Sequence, residues 1–168
     1  MDAASARAEY LVALVGNYAG KDSRILEVGC REGDNLVTLW QAGFTELRGL
    51  ESNAAKVSAF KRSHPDIAGR VSVTEGTMEE LVRGIEDAAF DLVFTVGFLF
   101  DKTGDFTWLF PELSRLTRRH LISIEDEGSG SLRDVYEQLG MKEVDAADLS
   151  AKVELDSVFF MRVFEKTP

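Results

Sequence analysis

The chain has 168 residues, 45% apolar and 29% charged, a mix that suits one soluble domain with a single sizeable core. Its 19 Lys and Arg against 29 Asp and Glu leave a formal charge of −10, which argues against nucleic acid and anionic membrane as partners, because both are gripped by cationic surface. The single cysteine excludes an internal disulfide and makes a reducing cytoplasm the expected location. No apolar run approaches the roughly 20 residues of a membrane span, and the polar, alanine-rich start does not read as a secretory leader.

Residues 3–18 place Tyr10, Leu11, Leu14, Val15 and Tyr18 at helical spacing, and "NYAGKDS" (17–23) ends that helix. "RILEVG" (24–29) reads as a strand, Asp34 to Ala42 as a helix closed by Gly43, and "ELRGLE" (46–51) as a second strand. A helix over Ala54 to Ser63 follows, with Pro65 beyond its end, then the short alternating strand "RVSVTEG" (70–76) and a short helix from Met78 to Gly84. "AFDLVFTVG" (89–97) is a continuous apolar run, as expected of a strand buried on both faces of a parallel sheet. A helix from about Phe106 to Arg118 leads into the strand "HLISIED" (120–126). Arg115, Arg118 and Arg119 are read as the cationic end of that helix, where positive charge favours the dipole. "SLRDVYEQLG" (131–140) is a helix, and "MKEVDA" and "DSVFFMRVFEK" (156–166) are two closing strands.

Strands alternating with helices imply right-handed crossovers and an open, mostly parallel, doubly wound α/β sheet. The last two strands have no helix between them, so they pair as a hairpin and the final strand runs antiparallel. Such sheets bind ligands beyond the carboxyl ends of their strands, which points to the end of 24–29.

There the sequence reads "ILEVGCREGDN" (25–35). Gly29 allows a sharp turn and close backbone approach to a ligand, and Gly33 opens a helix whose N-terminus offers free amides. Glu27 adds an acid beside that amide-rich turn, which suits a ligand carrying both a cation and an anion. The dinucleotide pattern G-x-G-x-x-G fails, because its second and third glycines fall on Arg31 and Asp34. Glu51, ending the second strand, is suited to accept from both hydroxyls of a ribose. In "TEGTMEEL" (74–81) a polar side chain and a backbone N–H are suited to meet an adenine edge.

Together Glu27-Val28-Gly29-Cys30-x-x-Gly33, Glu51, Gly76-Thr77-Met78-Glu79 and Phe90-Asp91-Leu92-Val93 resemble the class I S-adenosylmethionine-dependent methyltransferases. The resemblance runs from about Ser23 onward. It implies one domain over 1–168, with an N-terminal helix (1–20) and a Rossmann-like core (23–168) built on a seven-stranded sheet of order 3-2-1-4-5-7-6. It implies S-adenosyl-L-methionine as cofactor, with Glu27 and the Gly29–Gly33 turn holding the methionine part. It further implies that Glu51 binds the ribose hydroxyls with Ser52 beside it, that Thr77 and Met78 border the adenine, and that Thr95 lies beside the amino acid moiety. Two positions depart from the pattern. Thr77 stands where the family often has Asp, and Arg31 where it usually has Gly. A non-glycine at that point is expected to need a backbone that avoids positive φ. The Arg31 side chain either reaches the cofactor carboxylate or lies in solvent.

The acceptor side is expected from the loops 97–108 and 125–131 and from the N-terminal helix. Asp101 is the candidate for a catalytic base or substrate contact; the alternative is a loop aspartate that shapes a turn. Glu125 and Asp126 stand in the same position. Phe98, Phe100, Phe106 and Trp108 are either pocket walls or core. His64 and His120 lack partners at metal-ligand spacing, so no metal site is expected. Cys30 reads as a small residue packed beside the cofactor rather than a nucleophile. The favoured function is methyl transfer to a small-molecule acceptor by a monomer or homodimer. The alternative is a non-catalytic binding module of the same fold. Val158, Phe159, Phe160 and Phe164 are either sheet core or a dimer edge.

Overall fold

The computed structural model describes residues 3–99, 106–126, 132–149 and 159–167. In chain order these form α1 (Ala3–Tyr18), β1 (Ile25–Val28), α2 (Asp34–Gln41), β2 (Leu47–Glu51), α3 (Ala54–Ser63), α4 (Pro65–Ala68) and β3 (Ser72–Glu75). There follow α5 (Met78–Arg83), β4 (Phe90–Val96), α6 (Leu109–Leu116), β5 (Thr117–Glu125), α7 (Leu132–Gln138), β6 (Met141–Asp148) and β7 (Phe160–Lys166). The strands make one seven-stranded sheet of order β3-β2-β1-β4-β5-β7-β6. β1, β2, β3, β4 and β5 are mutually parallel, and β7 runs antiparallel to both β5 and β6.

Alternation along each strand sorts the core into two layers. Ile25 on β1, Leu47 on β2 and Phe94 on β4 face a layer completed by Leu14 and Val15 of α1, Leu36 and Leu39 of α2, and Phe60 of α3. Leu26 and Val28, Leu50 and Val93 face the opposite layer, with Val82 of α5, Leu113 of α6 and Tyr136 of α7. All four residues of β1 are buried, as a central strand covered on both faces requires. No helix among the described residues is long and apolar enough to cross a membrane.

Three readings are corrected. α6 starts at Leu109 and ends at Leu116, and Thr117–Arg119 already belong to β5. Arg118 therefore does not cap a helix; its Nη2 pairs with Asp91 at 2.5 Å. Arg115 stays in the last turn of α6, but its guanidinium donates to the carbonyls of Val82 (2.9 Å) and Ile85 (2.7 Å), pinning the end of α5. The segment at Pro65, expected only to lie beyond the end of the helix over Ala54 to Ser63, forms the short helix α4, with proline in its first turn. Of the closing aromatics, Phe164 is fully buried core, Phe160 is half-buried on β7, and Val158 lies outside the described residues. β6 forms one edge of the sheet and carries Glu143, Asp145, Asp148 and the exposed Val144.

The parallel pairing of β1 with β2 brings Gly49 against the turn after β1. A Cβ at Gly49 would stand 2.6 Å from Cys30 Sγ and 2.7 Å from Leu36 Cδ1. Gly49→Ala is therefore expected to cost about 1–3 kcal/mol through overpacking. Urea unfolding measures it, as a lower midpoint with an unchanged slope.

Candidate functional site

β1 ends at Val28 and α2 begins at Asp34. Between them Gly29 (φ 77°), Arg31 (φ 52°) and Gly33 (φ 79°) are all left-handed. The expectation that Arg31 avoids positive φ is thus overturned. Its conformation costs a non-glycine on the order of 1 kcal/mol, and the surroundings hold it there. The Arg31 N–H donates to Glu51 Oε2 and the Asn53 N–H to Glu51 Oε1, each at 2.8 Å. One carboxylate at the end of β2 therefore ties the turn after β1 to the start of α3. The Arg31 guanidinium donates to the carbonyl of Gly97 at 2.9 Å, spanning from the β1 turn to the end of β4.

These elements wall a cavity of about 420 Å³ at the carboxyl end of β1, within the range of small-molecule sites. Glu27, Arg31 and Asn35, with Arg7, Glu32 and Asp34, line its polar side, while Tyr10 and Leu11 of α1 and Phe159 supply part of its apolar side. Glu27 is 2% exposed. Its Oε1 accepts from Asn35 Nδ2 at 2.6 Å, and its Oε2 has no partner among the described residues. Burial pushes its pKa up to about 8, against the lowering pull of the Asn35 bond and the Arg31 charge.

A second buried acid stands at the end of β5. Glu125 Oε2 accepts from the N–H groups of Phe98 (2.8 Å) and Leu99 (3.0 Å). Burial raises its pKa to about 7, opposed by the Thr95 hydroxyl, those two amides and Arg31. This grip sets the start of the loop after β4. The Phe98 ring then fills the space beside Gly29, where a Cβ would meet its Cδ2 at 2.3 Å. Gly29 is needed for its left-handed φ and for this ring packing.

The family model for the methionine biosynthesis protein MetW matches residues 7–145. The chain belongs to that family. No curated protein sequence matches it. Solved structures share the fold at low identity. The magnesium protoporphyrin IX methyltransferase of Synechocystis PCC 6803, with bound SAH, is 13% identical at a TM-score of 0.76, covering 96% of this chain and 82% of that one. The geranyl diphosphate C-methyltransferase of Streptomyces coelicolor A3(2) is 16% identical at 0.75, covering 97% and 77%. The [4+2]-cyclase SpnF is 14% identical at 0.76, covering 94% and 81%.

In this MetW-family chain the residues singled out by sequence fall into two groups. Glu27, Gly29 and Arg31 line the cavity, Gly33 caps α2 behind it, and Glu51 braces the turn. The others lie away from the cavity lining. Thr77 is the N-cap of α5, accepting from the Glu80 N–H and donating to Glu80 Oε2 at 2.6 Å. Met78 is core beneath α5, Ser52 is exposed, and Thr95 is fully buried beside Glu125. Phe98, Phe106 and Trp108 pack on the core layer of α6 and α7, the first two with ring centroids 5.1 Å apart. Asp101 and Phe100 lie outside the described residues. Cys30 is buried against Gly49 and lines the back of the cavity; burial raises its thiol pKa, so it stays protonated. Among the described residues no group of three or more His, Cys, Asp or Glu is placed to hold a metal ion. Sequence reasoning missed Asn35, whose only signal was its place in the first turn of α2, next to the end of β1.

The raised pKa of Glu27 sets a pH dependence. A folded value of about 8 against the ordinary 4.5 means its contribution to stability is complete below the lower value and lost as pH rises through the upper one. Relative to the wild type, Glu27→Gln is therefore expected to gain on the order of a few kcal/mol across that window. Urea unfolding of both proteins at stepped pH reads that difference; a constant difference contradicts it.

Proposed function

We propose that this chain is a class I methyltransferase that carries a methyl group from S-adenosyl-L-methionine to a small-molecule acceptor. The observation that carries the reading is the buried Glu27 carboxylate, with one oxygen unpartnered among the described residues, in the wall of a cavity at the carboxyl end of β1. A carboxylate kept from water there is relieved by a cationic ligand, which lowers its pKa again. The amides of Gly29, Cys30, Arg31 and Gly33 are spent within the protein, and the start of α2 adds backbone amides suited to a ligand carboxylate. The donor set thus fits a zwitterionic amino acid group. Glu51 keeps lone pairs for ribose hydroxyls beyond those used by Arg31 and Asn53. Fold neighbours that are methyltransferases, both with bound S-adenosylhomocysteine, support the same reading.

The bound cofactor supplies an electrophilic methyl group. The protein's part is to hold it and the acceptor in line and to keep water away. Glu27 and the β1 turn position the charged end, Arg31 fastens the turn to Gly97, and Tyr10, Leu11 and Phe159 offer apolar surface to the acceptor. Asp101 is the proposed base or substrate contact, on sequence grounds alone. Ser52, Thr77, Met78 and Thr95 belong to the proposed cofactor set on the same grounds. The reading includes one domain over 1–168 in the cytoplasm, as a monomer or homodimer.

A second reading is a binding module that carries out no methyl transfer. The Arg31 guanidinium already occupies the Gly97 carbonyl and the Phe98 ring already covers Gly29, and a fold neighbour is a cyclase.

Calorimetric titration with S-adenosylmethionine and S-adenosylhomocysteine, with NAD as control, tests both readings. Micromolar binding is expected, weakened about tenfold or more in Glu27→Gln and in Glu51→Ala, with NAD silent. Wild-type affinity for S-adenosylmethionine should rise with pH towards the Glu27 pKa, while that of Glu27→Gln stays level. Binding without methylated product across a panel of small-molecule acceptors favours the module. Absence of binding rejects both.

A further inference from the structure

The opposite end of the sheet holds a second cavity, of about 460 Å³, at the amino ends of β1, β2, β3 and β4. Its rim carries Arg24, Arg48 and Arg70, and Glu46 is the one carboxylate in its lining. The floor includes Ile85 and Phe90, which are buried apolar side chains. In a chain of formal charge −10, three arginines converging on one cavity are a local reversal of the field.

Arg48 is the decisive residue. It lies on β2 between buried Leu47 and Gly49 and is itself half-buried. Its register with Leu26 of β1 and Ser72 of β3 sets it over the sheet interior rather than at an edge. Its Nε is buried with no partner among the described residues. A guanidinium N–H withdrawn from water without an acceptor is costly unless an acceptor arrives. Its neighbours do not supply one. Arg24 Nε stands 4.0 Å from Asp91, a carboxylate also paired with Arg118. The Arg70 guanidinium lies 6.0 Å from the centre of the Trp40 ring.

We infer that this cavity is an anion site for a small organic phosphate, its phosphoryl group held by Arg48 with Arg24 and Arg70 and its apolar part lying on Ile85 and Phe90. Arginine forks match phosphate oxygens in pairs, and the apolar floor distinguishes an ester from the bare ion. The site is separate from the cavity at the end of β1 and does not depend on the proposed methyl transfer.

The test is calorimetric titration with phenyl phosphate and with inorganic phosphate, at fixed chloride concentration, on the full chain. One saturable site is expected, tighter for phenyl phosphate than for inorganic phosphate. Arg48→Gln should weaken it about tenfold or more, while Arg133→Gln, on α7, leaves it unchanged. Arg70→Gln, at an exposed rim position that tolerates the change, should weaken it as well and guards against a folding defect in Arg48→Gln. Saturating S-adenosylhomocysteine should leave the affinity unaltered. Absence of saturable binding, equal affinity for the two phosphates, unchanged affinity in both cavity variants, or displacement by S-adenosylhomocysteine overturns the inference.

Discussion

The Glu51 carboxylate is the constraint on which the site's shape rests. Val28 pairs with Leu50 in parallel register, so the turns leaving β1 and β2 emerge side by side. Glu51 fastens them by accepting from Arg31 N–H and Asn53 N–H. With Arg31 held left-handed, its side chain crosses to Gly97, Cys30 turns inward against Gly49, and Gly33, bonded to the Cys30 carbonyl, caps α2. A short acidic side chain thereby does the work that a third glycine would do in a more permissive turn: it stabilises a conformation that arginine alone disfavours.

Electrostatics follow from that backbone. Glu27 on β1 and Glu125 at the end of β5 stand on either side of β4, and burial raises the pKa of both. Arg31 lowers both, so one cation serves two withdrawn acids. Glu125 spends one of its oxygens on the amides of Phe98 and Leu99 and so acts on the loop after β4. Glu27 spends one on Asn35 and leaves the other unengaged among the described residues. Glu125 Oε1 is likewise without a partner among the described residues, so the two acids differ in where they stand: Glu27 lines the cavity, and Glu125 grips the loop after β4.

The sheet order was legible because it rests on local signals. Apolar runs such as 89–97 mark buried strands, and the missing helix between the last two strands leaves antiparallel pairing as the short connection. The places of Glu27 and Glu51 near the carboxyl ends of β1 and β2 were legible because the strands themselves were. What escaped depends on contacts between distant parts of the chain. Nothing near Gly29 announces that Phe98 will fill its missing side chain. Arg118 and Arg119 follow a helix in sequence and look like its end, yet pairing of β5 with β4 and Asp91 draws them into a strand. Thr77 matched a motif position, and its spacing to Glu80 is also that of a capping box, a local role the motif did not announce.

The edge strand β6 has a further effect. An unpaired strand edge invites another copy of the chain to add to the sheet. Here Glu143 is paired with Arg162, and the exposed side chains of that strand include Asp145 and Asp148, with Val144 beside Asp145 at 41%. Two such edges meeting would bring carboxylates together in a chain already strongly anionic. Near neutral pH the sheet therefore ends where it does because its own charge repels a continuation. That protection weakens as salt screens the acids or acid neutralises them, so the molecule's solubility is tied to the ionic strength around it.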